Sequence, residues 1–116
     1  MKLEGVPFKN SETCEGKAFA VPGASVDLSV IEINGRYPEN GWAWNREVHE
    51  MVYVKRGRGN LAVKNGEITN LNEGDVVSVT PGQKFAWSGD MTLIMACSPP
   101  FGSSQYNLEE ENHHER

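Results

Sequence analysis

The chain has 116 residues, 38% of them hydrophobic, and a formal net charge of −5 from 16 acidic and 11 basic side chains. That length is the usual size of one domain and suffices to bury a core without staples. The acidic balance argues against a phosphate-backbone partner, which calls for clustered Lys and Arg. The longest apolar runs, such as Val76–Val77 and Leu93–Cys97, fall far short of the ~20 residues of a membrane helix.

Residues 1–10 hold Lys2, Glu4 and Lys9 and no continuous apolar stretch, so they do not read as a secretory leader. The expectation is a cytoplasmic protein with no nucleic-acid and no membrane partner. Cys14 and Cys97 then read as reduced and structural.

Taken in chain order, the pattern is one of short strands punctuated by 12 Gly and 6 Pro. Lys17–Val21 is the first strand, closed by Pro22-Gly23. Ser25–Ile33 is the second, with Val26, Leu28 and Val30 alternating with Asp27 and Ser29. Asn34-Gly35 ends it, and Arg36–Gly41 reads as a loop. A third strand spans roughly Trp42–Lys55. Lys55-Arg56-Gly57-Arg58 is a solvated turn, and Gly57 and Gly59 mark a bend. Lys64-Asn65-Gly66 joins Asn60–Val63 to Glu67–Leu71 as the strongest hairpin signal in the chain. Val76–Val79, Lys84–Ser88 and Met91–Cys97 follow, separated by Pro81-Gly82 and a Gly89-Asp90 hairpin turn, and Pro99-Pro100 stops the last of them. Seven or eight such strands fit an all-β sandwich or barrel in a single domain, 1–116, with its core at about 17–98. The acidic segment from about 102 to 116 lacks a core pattern. It is expected to drape over the barrel and be partly disordered.

Two stretches point to a family. Glu50-Met-Val-Tyr-Val-Lys-Arg-Gly57-Arg-Gly59 resembles the first conserved motif of small single-domain cupins, and Gly74-Asp-Val-Val-Ser-Val-Thr-Pro81-Gly82 resembles the second. The Gly-Asn-Leu-Ala-Val hairpin between them sits where the family expects it. The resemblance covers about residues 18–98. It implies a double-stranded β-helix (jelly-roll-like) cupin barrel around a central cavity, and a homodimer.

Many cupins hold one divalent metal with an HxH pair, a Glu or Gln, and a later His. In this chain Glu50 takes the carboxylate position. The HxH pair falls on Trp44 and Arg46, or on Ala43 and Asn45 if the spacing is one longer, and the later His falls on Phe85. One carboxylate does not hold a catalytic metal, so the resemblance carries over no metal and no cofactor. The fallback metal set is His49, Glu50 and Cys97, which requires a bulge to turn His49 inward. His113 and His114 read as solvent-exposed.

Period-two alternation with Glu50 inward also turns Trp44, Arg46, Val48, Val52 and Val54 inward, with Phe85 and Trp87 facing the same cavity. Asn45 is placed at the rim, and Met51 and Tyr53 on the opposite face. Arg46 and Glu50 either pair as a structural ion pair inside an aromatic plug, or bind a small organic ligand between apolar walls. The ligand-binding candidates are Trp44, Asn45, Arg46, Glu50, Phe85 and Trp87. The leading expectation is a metal-free small-molecule binding barrel. The alternative is an isomerase or epimerase in which Glu50 is the catalytic acid/base, its pKa raised by the apolar pocket, or a dioxygenase with an atypical metal set.

Overall fold

The structure is a computed structural model and describes residues 1–111. Its strands are β1 (Val6–Ser11), β2 (Cys14–Phe19), β3 (Asp27–Tyr37), β4 (Trp42–Asn45), β5 (His49–Val63), β6 (Ile68–Asn72), β7 (Val76–Val79), β8 (Phe85–Ser98) and β9 (Tyr106–Glu109), with a 3-10 turn at Ser103–Gln105. All belong to one antiparallel sheet that curls into the expected cupin barrel. Its path runs β1-β2-β3-β8-β4-β9, with β5 on the other edge of β8 and β6 and β7 attached to β5. No helix among the described residues is long and apolar enough to cross a membrane.

β8 is the spine. Cys97 back to Trp87 pairs with Asp27–Tyr37 of β3, and Ser98 back to Phe85 pairs with His49–Val63 of β5. These strands are longer than the sequence pattern suggests. The turns expected at Asn34-Gly35, Gly57/Gly59 and Gly89-Asp90 are bends inside β3, β5 and β8 instead. The register explains why: Gly35, Gly89 and Gly59 lie side by side across the three strands. A Cβ on Gly59 would sit 2.0 Å from the Ser88 carbonyl oxygen, and one on Gly57 2.0 Å from that of Asp90. Glycine is required there so that the sheet can fold sharply without breaking its ladder. In sequence, that need looks the same as a turn.

The Lys64-Asn65-Gly66 hairpin forms as expected, with Asn65 at φ 57° and the Gly66 N–H donating to the Val63 carbonyl at 2.9 Å. Strand alternation buries Val52 and Val54 of β5, Leu93 and Met91 of β8, and Ile31 and Ile33 of β3 in a single core that also takes in Phe85 and Trp87. The first hairpin, β1–β2, lies earlier than the strand expected at Lys17–Val21 and extends the sheet beyond the core expected at 17–98.

The C-terminal segment is the largest departure. β9 pairs with β4, from Trp42↔Glu109 to Asn45↔Tyr106. Glu109 is clamped between Lys64 and Lys84, the latter at 2.5 Å. These two ammonium groups push its carboxyl down to about 2. Trp42 Nε1 donates to Glu111 Oε2 at 2.7 Å. The charge that marked this segment as a fraying tail is what ties it to the barrel. His113 and His114 lie outside the described residues.

Gly57→Ala combines a disfavoured positive φ with the clash against Asp90, and we expect it to cost about 3 kcal/mol in urea unfolding. Gly74→Ala, at φ +94° with open space around it, should cost about 1 kcal/mol. Equal costs for the two would remove the close-approach account of Gly57.

Candidate functional site

β5 begins at His49 and turns Glu50 into the barrel, where it is 3% exposed. In the register Glu50 lies between Val79 of β7 and Cys97 of β8. Glu50 Oε2 accepts a hydrogen bond from Asn45 Nδ2 at 2.9 Å, and Oε1 is buried with no partner. Burial pushes the Glu50 carboxyl up to about 7, and the Asn45 bond opposes only part of that shift.

Asn45 is fully buried rather than at the rim. Its Oδ1 accepts from Gln105 Nε2 at 2.8 Å, and Gln105 Oε1 accepts from the backbone N–H groups of Glu47 at 3.0 Å and Val48 at 3.2 Å. The 3-10 turn before β9 delivers Gln105, and the Arg46 N–H fixes its backbone by donating to the Gln105 carbonyl at 2.9 Å. Two tyrosines complete the polar interior. Tyr106 donates its hydroxyl to that of Tyr37 at 3.2 Å. Burial raises both phenols, and the Glu50 charge adds to the rise in each. Cys97 is raised by burial first and then by the Glu50 and Asp27 carboxylates, so it is a neutral thiol.

The predicted residues divide. Phe85 and Trp87 face the interior, 1% and 2% exposed, with their rings edge to face at 6.1 Å. Trp44 and Arg46 do not share Glu50's face. The expected single strand Trp42–Lys55 is interrupted at Arg46–Val48, and the break shifts the alternation by one, so Ala43 and Asn45 point inward. Of the two registers weighed for the HxH pair, the longer one describes the structure. Arg46 is exposed and donates to the Ser104 carbonyl at 3.2 Å, so the Arg46–Glu50 ion pair does not form. His49 is exposed on the outer face opposite Ser98, so His49, Glu50 and Cys97 do not converge.

Sequence reading missed Gln105, Tyr106 and Tyr37. The first two lay in a segment read as tail and the third in a segment read as loop. The signal available for them was polar and aromatic residues beyond the Pro99-Pro100 stop.

The donor set does not suit the metal that many cupins hold. Among the described residues no three His, Cys, Asp or Glu side chains converge. The group beside Glu50 is an amide that donates to the carboxylate rather than a lone pair aimed at a shared cation. Two surface concavities lie elsewhere. One is a groove of about 720 Å³ along β1–β3, and the other a notch of about 310 Å³ at Val63–Asn65 and Gly82–Lys84. Neither is lined by Glu50, which is buried.

A curled antiparallel barrel of this topology, with its key carboxylate at the start of the strand that crosses the core, is a cupin. Residues 38–95, half of the chain, match the EutQ-like cupin domain (Cupin_3), and the chain belongs to that family. A search of curated protein sequences gives no significant match.

Among solved structures the chain is similar to Streptomyces Pac13, described as a nucleoside dehydratase. The match to the form solved with uridine has a TM-score of 0.82 and 16% identity, over 95% of this chain and 90% of that one. Ectoine synthase from P. lautus matches with a TM-score of 0.69 and 16% identity, over 91% and 83%. The EutQ protein of Clostridium difficile matches with a TM-score of 0.66 and 20% identity, over 88% and 73%. At such identities the likeness establishes the fold.

Because Glu50 holds its proton more tightly in the folded chain than in the unfolded one, stability should fall as pH rises from about 4.5 to about 7 and level off above that. At about 1.4 kcal/mol per pH unit the fall is about 3 kcal/mol. Glu50→Gln should abolish this component and be the more stable protein at pH 8. The measurement is the difference in urea unfolding free energy between the two proteins at pH 5 and pH 8. A difference that does not change with pH would show that Glu50 ionises normally.

Proposed function

We propose that this chain binds a small polar organic molecule in the barrel interior, without a metal, and that Glu50 exchanges a proton with it. The observation that supports this most is Glu50 Oε1, a buried carboxylate oxygen with no partner. Leaving such a group unpaired costs on the order of 1–3 kcal/mol, and a ligand hydroxyl or amine would remove that cost. Phe85 and Trp87 supply the apolar wall. A carboxyl poised near neutrality is both a donor and an acceptor at the pH of the cell. Glu50 and Asn45 are buried, and the route for a ligand is displacement of the C-terminal segment, whose Tyr106 pairs with Asn45. Two buried free thiols suit a reducing, cytoplasmic setting.

An enzymatic reading is favoured by one specific observation, the Tyr37–Tyr106 hydroxyl pair in the same interior. Moving a proton on and off one substrate needs two groups, and the tyrosines are the second. A nucleoside dehydratase with this fold, solved with uridine as tyrosine-to-phenylalanine and histidine-to-glutamine variants, makes nucleosides the first class to screen, beside sugars and small organic acids. A compound from this panel should stabilise the protein in a thermal melt. Glu50→Gln should weaken its binding at least tenfold, about 1.4 kcal/mol, and Arg46→Ala should leave binding unchanged. A ligand indifferent to Glu50→Gln would remove Glu50 from the site. A stoichiometric metal found after His113 and His114 are changed to Ala, and lost in Glu50→Ala, would overturn the metal-free reading.

The partner we propose is a second copy of the chain, docked on the outer face of the sheet. The register aligns Lys17, Val30, Ile94, Tyr53 and Val76 in one outward row, with Leu28 and Met51 in the next. Met51 and Val76 are each 61% exposed, and an apolar face of this breadth marks an interface. Beyond Lys17 the row holds only Pro7 of β1 at one side, and at the other it ends beside the exposed Glu73-Gly74-Asp75 turn. A half-turn about an axis through the face brings one copy's Lys17 towards the acidic turn of the other. Light scattering should give a dimer for the natural chain and a monomer for Met51→Lys with Tyr53→Lys. A monomeric natural chain at micromolar concentration would sink the proposal.

A further inference from the structure

We propose that Gln105 is a positioning residue that decides which oxygen of Glu50 carries the exchangeable proton. Two backbone groups set the direction of the hydrogen bonds that reach Glu50. The N–H of Glu47 and the N–H of Val48 can only donate, and both are directed at Gln105 Oε1. That end of the Gln105 amide is therefore its carbonyl, and its Nε2 must donate. The acceptor of Nε2 is Asn45 Oδ1 at 2.8 Å. With Oδ1 so used, Asn45 can present only its NH2 to Glu50, and Nδ2 lies 2.9 Å from Oε2. Oε2 is thus held as an acceptor in both protonation states. The proton of the neutral acid resides on Oε1, the oxygen with no protein partner. Two main-chain donors at the β4–β5 break set the orientation of the acid at the barrel centre, through two side-chain amides.

This inference rests on the reading of Glu50 as the interior acid–base group. It adds a residue from outside the 38–95 stretch that matches the cupin family. The other titratable groups facing Glu50 are Cys97 on β8, Tyr37 on β3 and Tyr106 on β9, with Asp27 beyond Cys97. None of them hydrogen-bonds to Oε2, so the amide pair is the only orienting contact among the described residues.

Gln105→Glu keeps the acceptor for the two N–H groups but, once ionised, has nothing to donate. Asn45 must then turn over, give its NH2 to residue 105 and offer its carbonyl to Glu50. The proton is drawn to Oε2. By NMR, the side-chain carboxyl carbon of Glu50 should titrate at least about one pH unit higher than in the natural chain. In the natural chain the Asn45 side-chain NH2 resonances should shift with the same midpoint as Glu50, and in Gln105→Glu they should no longer follow it. Gln105→Met leaves Asn45 unanchored without adding charge, and the coupling of its NH2 to the Glu50 titration should weaken.

A raised midpoint with Asn45 NH2 still tracking Glu50 would mean that only the added charge acts, and would overturn the proposal. So would a folded Gln105→Met that keeps the coupling in full. If Gln105→Glu does not fold, Gln105→Met decides alone. No ligand is used in this experiment, so a failed ligand screen and a failed relay are separate results.

Discussion

The fold depends on the close approach of β5 and β8 where Gly57 and Gly59 pass the backbone of Ser88–Asp90. Every other strand hangs on this pair, β3 on the far edge of β8 and β6 and β7 on β5. The bend lets a single continuous ladder face itself across a core. Residues at opposite ends of β8, such as Trp87 and Cys97, thereby share one interior. Without the bend the sheet would be flat and Glu50 would sit on a surface. With it, the carboxylate lies among apolar side chains, and its raised pKa follows from that burial.

Glu50 is costly to keep. One oxygen is satisfied, the other is not, and the apolar surroundings resist its ionised form. Chains tolerate such groups where they do chemistry. Around the satisfied oxygen, the barrel supplies the acid, Asn45 and the apolar wall, while the C-terminal segment supplies the Gln105 amide that bonds to Asn45. The ion pairs at Glu109 lie at the rim, where solvent screens them, so the segment is held firmly in register but not irreversibly.

The barrel was legible in the sequence because its signals are local and repeated. Glu50–Gly59 and Gly74–Gly82 keep their spacing, and the Asn65 hairpin is written in two residues. Strand lengths were not legible, since a glycine that permits a close approach and a glycine that permits a turn are the same letter. The site was half legible. Phe85, Trp87 and Glu50 follow from alternation, whereas Trp44 and Arg46 were assigned to the wrong face because nothing in Asn45-Arg-Glu-Val48 announces a break in the pleat. Gln105 and Tyr106 were hidden by composition. A run of Glu predicts solvation, and only the folded barrel reveals that Lys64 and Lys84 stand where the run passes.

The stretch shared with the cupin family ends at residue 95, ten positions before Gln105. The interior is built from two parts of the chain, the stretch matched by the family model and the C-terminal segment that brings Gln105 to Asn45. Substitutions in residues 99–111, where Gln105 is buried and only part of the rest is exposed, would change what borders Asn45 while the β5–β8 packing stays untouched. For this chain the short strand that pairs with β4 bears on the buried carboxyl as much as the wall of the barrel does.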